Sequence, residues 1–350
     1  MESMTGLSRK RLSLKRRMLQ TGTWLFAAAL ALPAALPAET CITQSQMATA
    51  DRDALTTAVL SFAGWVKTND AADVKTATIP EFAGNFDGIA TAISATAPKI
   101  AGDALSVTSL YILDASGNSG IKDTQFFCIL NNSTSEAIFS LPALPPARYA
   151  LAIVHAQGDR AWTLSFVLRQ ASSQSGSAWL LAGFIPKLAT AAGHDGIWYW
   201  TQARAYAKQN QHWNAWLYYA EADALLSPVD FVSSTNRDRL HAEQESAQPA
   251  QLAANGISAD HPLSAASFAF TAIGTEESLD GKSLELGVHL VATDVSDPAA
   301  VRERSMAALS ALLAAYPELR GAFTGAWVYA DAPGQSSFGI EFNPLPPATP

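Results

Sequence analysis

The apolar positions of this chain change period along its length. From Asp51 to Val66, the residues Leu55, Val59, Phe62 and Val66 recur at i, i+4, i+7 and i+11, which is one face of a helix. Asp51 or Thr49 is the expected cap at its start. A second helical stretch runs from about Phe82 to Ala97, with Phe86, Ile89 and Ile93 on one side, and Pro98 is the expected stop. After it the runs become short and rich in β-branched and aromatic residues: "LSVTSLYILD", "TQFFCILNN", "EAIFSLPAL", "RYALAIVHAQ", "AWTLSFVLRQ" and "AWLLAGFIPK". The turn stretches "DASGNSG" (Asp114–Gly120) and "QGD" (Gln157–Asp159) separate them. Helices followed by closely spaced strands predict an α+β fold, with N-terminal helices on an antiparallel curved sheet over residues 39–190.

The period returns to helical over residues 191–248. "ARAYAKQNQHWNAWLYYAEADALL" is dense in alanine and aromatics and lacks glycine and proline, so it predicts a helical hairpin with "QNQ" (Gln209–Gln211) as its turn. The polar stretch "SSTNRDRLHAEQESAQPAQ" continues helical to about Glu245 and then becomes a linker at Pro249. Residues 249–344 read as a ββαββ unit. Leu284, Leu286, Val288 and Leu290 alternate strictly, which turns His289 to the opposite, wet side. Asp297 caps a helix begun by Pro298 and ended by Pro317, and "AFTGAWVYAD" and "SSFGIEFNP" form a hairpin across "APGQ". "PLPPATP" ends the chain, and residues 345–350 are expected to be a disordered tail.

Composition changes the picture at the N-terminus. Arg9, Lys10, Arg11, Lys15, Arg16 and Arg17 precede an apolar run that closes on small residues, the order of an export signal over residues 1–38 with cleavage after Ala38. The run is short and broken by proline, so no stable membrane span is expected after cleavage; a retained anchor is the alternative. "KRRMLQTG" also resembles a twin-arginine signal, so the export route stays open. Of 23 Lys and Arg, six lie in this segment, and of 31 Asp and Glu, one does, leaving 17 against 30 and a net charge of −13. Such a balance repels nucleic acid and anionic lipid. In an exported chain the pair Cys41 and Cys128 is expected to form a disulfide; cysteines so far apart in sequence do not read as a metal site.

Residue by residue, the hairpin resembles one tetratricopeptide repeat. Tyr199 and Tyr206 take its aromatic positions in the first helix and Ala203 the small one; Ala215, Tyr219 and Ala222 follow in the second. Pro228 falls one residue late, and Gln202 replaces the usual leucine. A single repeat cannot bury its own apolar face, so neighbouring parts of the chain are expected to cover it. The strand pair ending on Trp179–Gly183 resembles the close of a nuclear-transport-factor-two-like cone domain, covering roughly residues 48–188. "LPALPPARYALAIV" resembles the proline turn of a transthyretin-like sandwich, the competing reading.

No Gly-rich phosphate loop, HExxH, CxxC or GxSxG occurs in the sequence, and no cofactor or metal is indicated. The resemblance to a cone domain implies an open end that would gather His155, Tyr111 and Asp114. His212, Trp213 and Trp216 form a second candidate set, able to stack on a sugar or planar ligand unless the rings are core. In "GHDG", His194 and Asp195 read as a turn in which Asp195 caps the next helix. Glu276, Glu277, Asp280 and Glu285 lack calcium-loop spacing and read as a solvated hairpin. The expected function is an exported, non-enzymatic binding or scaffold protein of the bacterial periplasm or cell exterior, with a protein or small molecule as partner. The alternatives are an enzyme or small-ligand binder using the pocket of the N-terminal domain, and a structural envelope subunit with an apolar patch near Trp213 and Trp216.

Overall fold

The computed structural model describes residues 39–130, 134–171, 178–252 and 256–347. The export segment and the last three residues of the expected tail lie outside the described residues. The fold is α+β.

The N-terminal part runs β1 (Thr40–Thr43), α1 (Thr49–Lys67), α2 (Ala71–Thr76), α3 (Pro80–Ala83), α4 (Asp87–Ile100), β2 (Ala104–Asp114), β3 (Lys122–Ile129), β4 (Glu136–Leu144), β5 (Arg148–Gln157), β6 (Trp162–Gln170) and β7 (Trp179–Leu188). Leu55, Val59, Phe62 and Val66 of α1 are all buried, as their spacing predicts. Neither Thr49 nor Asp51 caps α1: Ala48 stands at the cap position, and the Asp51 carboxylate is held by Arg148 at 2.8 Å. Pro98 does not stop α4 but sits in its last turn.

The six predicted strands divide between two sheets. β1, β2, β5, β6 and β7 form an antiparallel sheet in the order β1-β2-β5-β6-β7. β3 and β4 join β10 (Val232–Ser234) in a second sheet, in the order β10-β4-β3. The reason lies in β5, where Tyr149, Ala150, Leu151 and Ala152 are consecutive and all buried, so both faces of the strand need cover. Ala150, Ala152 and Val154 pack with α1 and α4 on one face. Tyr149 and Leu151 pack with Phe126, Cys128 and Phe139 of the second sheet on the other. The Cys41–Cys128 disulfide ties β1 to β3 and thus one sheet to the other.

The short pair β8 (Thr190–Ala191) and β9 (His194–Asp195) leads into α5 (Gly196–Lys208), α6 (His212–Leu226) and, after β10, α7 (Thr235–Ser246). Asp195 caps α5, accepting from the Trp198 N–H at 2.8 Å. Asn210 takes φ +58° in the turn between α5 and α6, a conformation Asn tolerates. The C-terminal sheet has the order β11-β12-β13-β14-β15, built from β11 (Leu263–Ala265), β12 (Phe268–Glu277), β13 (Leu284–Val291), β14 (Ala326–Asp331) and β15 (Phe338–Phe342). β13 and β14 are parallel because α8 (Pro298–Ala315) carries the chain back between them. One core unites the hairpin with this sheet: Tyr199, Trp213, Tyr218 and Tyr219 share it with Leu286, Val288, Leu309 and Val328. No helix among the described residues is long and apolar enough to cross a membrane.

Candidate functional site

Alternation along the N-terminal sheet builds the site. Leu110, Ala152, Val154 and Leu164 turn to the helices, so Ser109, Ile153, His155 and Thr163 turn to the other face. The second sheet covers part of that face. Beyond it, the first turn of α5 and the end of α6 lean over the strands, and Ser165 Oγ donates to the Pro228 carbonyl at 3.2 Å. The two helices touch at Gly196, where a Cβ would lie 2.6 Å from Leu226 Cγ and 3.0 Å from the Ala222 carbonyl, so only glycine fits.

Between strands and helices lies a pocket of about 360 Å³, lined by Ser109, Ile153, His155, Thr163, Ile197 and Leu226 among others. Burial holds the His155 imidazole below its ordinary pKa, which keeps it neutral at pH 7. It makes no hydrogen bond to the described residues, so both ring nitrogens are free for a ligand. Apolar walls with a few convergent polar groups are the usual make-up of a small-molecule site.

The structure does not gather the other residues expected beside His155. Tyr111 lies on the same face, but its ring packs on Phe139 at 5.1 Å inside the sandwich, where burial raises its hydroxyl pKa. Asp114 pairs with Arg148 while His155 pairs with Ser106, seven positions apart along β5, or roughly 23 Å at the usual strand rise. Asp114 instead closes its own turn, accepting from Ser116 N–H at 3.0 Å and Ser116 Oγ at 2.6 Å.

His212, Trp213 and Trp216 are neighbours, and His212 and Trp213, without Trp216, line a pocket of about 330 Å³ with Tyr316 and Glu318, but the Trp213 ring offers it little surface. Trp213 is only 2% exposed, its ring held against Tyr316 at 5.2 Å and edge-to-face with half-buried Trp216 at 6.2 Å. His212 is exposed and directs Nδ1 to the Ala247 carbonyl at 3.2 Å. His194 stacks on Trp198 at 3.7 Å, and His289 lies on the outer sheet face, 2.8 Å from Asp331.

One acidic stretch departs from a solvated hairpin. Glu285 is fully buried in β13, its Oε1 accepting from Asn343 Nδ2 at 2.7 Å. Burial and the neighbouring Glu341 carboxylate push its pKa up to about 7. At the end of β12 Glu276 is exposed and Glu277 half-buried, and both, with Glu221 of α6, Arg160 and Trp327, line a second cleft of about 390 Å³. Sequence reasoning missed this group. The signal was present in "AWVYAD", whose alternation turns Trp327 and Tyr329 away from the core-facing Ala326, Val328 and Ala330.

Comparison with protein-family models, with curated proteins and with solved structures gives no match.

Proposed function

We propose that this chain is an exported, non-enzymatic binding protein whose small-molecule site is the His155 pocket. The carrying observation is the neutral, unpartnered imidazole in an apolar cavity of about 360 Å³. The hairpin, which we read as tetratricopeptide-like, acts as an internal strut: its rings are spent on the core shared with the C-terminal sheet rather than offered to a partner. That argues against a structural subunit docking through Trp213 and Trp216. The basic and apolar N-terminal run supports export, and the disulfide fits an oxidising compartment. The N-terminal domain, read as cone-like, contributes one wall of the pocket.

The test is a thermal-shift screen of small apolar alcohols, ketones and amides on the wild type and on His155→Phe, which fills the pocket. Compounds that stabilise only the wild type support the reading. Equal shifts in both proteins would remove it. The rival reading, an enzyme using the same pocket with His155 as proton acceptor, replaces it if turnover on a hydrolase and isomerase panel is abolished by His155→Ala.

A further inference from the structure

The walls of the His155 pocket also decide which polar group it takes, an inference that rests on the reading of this pocket as a small-molecule site. Thr163 of β6 stands directly across the ladder from His155, on the same sheet face, and lines the pocket with it. Thr163 is 7% exposed, and its hydroxyl meets no partner among the described residues. A hydroxyl so nearly buried and unpaired is unfavourable until a ligand or water completes it. Two residues on, Ser165 faces the same way and shows the contrast, since it is satisfied by the Pro228 carbonyl.

The opposite wall is the first turn of α5. Asp195 takes the Trp198 N–H, while the Gly196 and Ile197 N–H groups ahead of it have no acceptor within the helix. The pocket therefore sets backbone donors against two groups that both donate and accept, the Thr163 hydroxyl and the neutral His155 imidazole. Charge narrows the choice of ligand. No Lys or Arg lines the pocket, and Asp195 already places a carboxylate at this helix end. A ligand carboxylate would be desolvated near that charge with no cation to pair it, and an ammonium group would meet the positive end of the helix. A carboxamide carries no charge, offers an oxygen to the donors and offers N–H groups to the acceptors. Ile153, Leu225, Leu226 and Pro228 leave the rest of the pocket apolar.

We propose that the His155 pocket selects a neutral aliphatic carboxamide, whose oxygen accepts from the first turn of α5 and from Thr163, whose N–H donates to His155, and whose chain lies against Ile153 and Leu226. The test is isothermal titration calorimetry of the full chain with 4-methylpentanamide, 4-methylpentan-1-ol and 4-methylpentanoate, which share one chain and differ only at the polar end. The amide is expected to bind about tenfold more tightly than the alcohol or the carboxylate. Thr163→Val keeps the shape and removes the hydroxyl, and should weaken the amide about tenfold, as loss of one hydrogen bond implies. The Thr163 hydroxyl has no partner to lose, so this variant should melt no lower than the wild type, which separates lost binding from lost folding. Alcohol or carboxylate binding as tight as that of the amide, or unchanged amide affinity in Thr163→Val, would overturn the proposal. If such unselective binding is abolished by His155→Phe, the pocket still stands as a small-molecule site; if none of the three compounds binds the wild type, that reading falls together with the proposal.

Discussion

The backbone N–H of Trp213 donates to Glu318 Oε1 at 3.0 Å, joining the first turn of α6 to a 3-10 turn 105 positions later. α6 has no side-chain cap of its own, and the distant carboxylate serves instead, where the helix dipole favours negative charge. Asn214 strengthens the joint by donating to the Glu318 carbonyl at 2.7 Å. Glu318→Ala should therefore lower stability by about 1–2 kcal/mol in urea unfolding, and Glu318→Gln by less, because the amide oxygen still accepts.

Glu243 of α7 is the hub that holds this helix to the hairpin. It accepts from Trp200 Nε1 at 2.8 Å, from Arg204 Nε at 2.7 Å and from Arg239 Nε at 3.0 Å. The Arg204 guanidinium, first among these, holds its pKa down to about 2. Glu243→Ala leaves a half-buried guanidinium and an indole N–H without their acceptor, and should destabilise by about 2–4 kcal/mol. Hydrogen exchange in α7 should speed up more than exchange in β5, which lies in a separate core.

The disulfide closes a loop of 87 residues across two sheets. In the chain-entropy model, such a loop contributes about 4 kcal/mol by restricting the unfolded chain. Cys41→Ala with Cys128→Ala, or reduction of the wild type, should lower the denaturation midpoint by a corresponding amount. An unchanged midpoint after reduction would show that the two sheets are held together by packing alone.

How far the sequence could carry these conclusions depends on periodicity. Leu55, Val59, Phe62 and Val66 were legible because one helix face is buried and the others are not. The division of β3 and β4 into their own sheet was not legible. Strand alternation reports which side of a strand is covered, but not by which neighbour. "RYALAIVHA" held a clue, since consecutive apolar residues require cover on both faces. At the candidate site, His155 was visible as a strand-end histidine, while its walls Ile197 and Leu226 come from helices joined only in three dimensions. Tyr111 and Asp114 were wrongly grouped with it because strand register cannot be read from one strand. Glu285 read as wet because it alternates with the core-facing Leu284 and Leu286, whereas its burial is set by Asn343 and Gly325 across the sheet.

Glu285 makes a pH-dependent prediction whose sign follows from its surroundings. An ordinary glutamate titrates near 4.5, and here burial, then the Glu341 carboxylate, raise the value to about 7. The folded protein therefore holds a proton that the unfolded chain releases between those values. Stability from this group is full below about pH 4.5 and is lost as pH rises to about 7, by at most about 3 kcal/mol. Glu221 and Glu276 are also raised by burial and act in the same direction, whereas Glu243, already ionised above about pH 2, adds nothing to this slope. Glu285→Gln removes the need for a proton, because its amide can donate to Glu341. Thermal midpoints measured from about pH 5 to about pH 8 should fall for the wild type and flatten for Glu285→Gln, the variant becoming the more stable protein at the alkaline end.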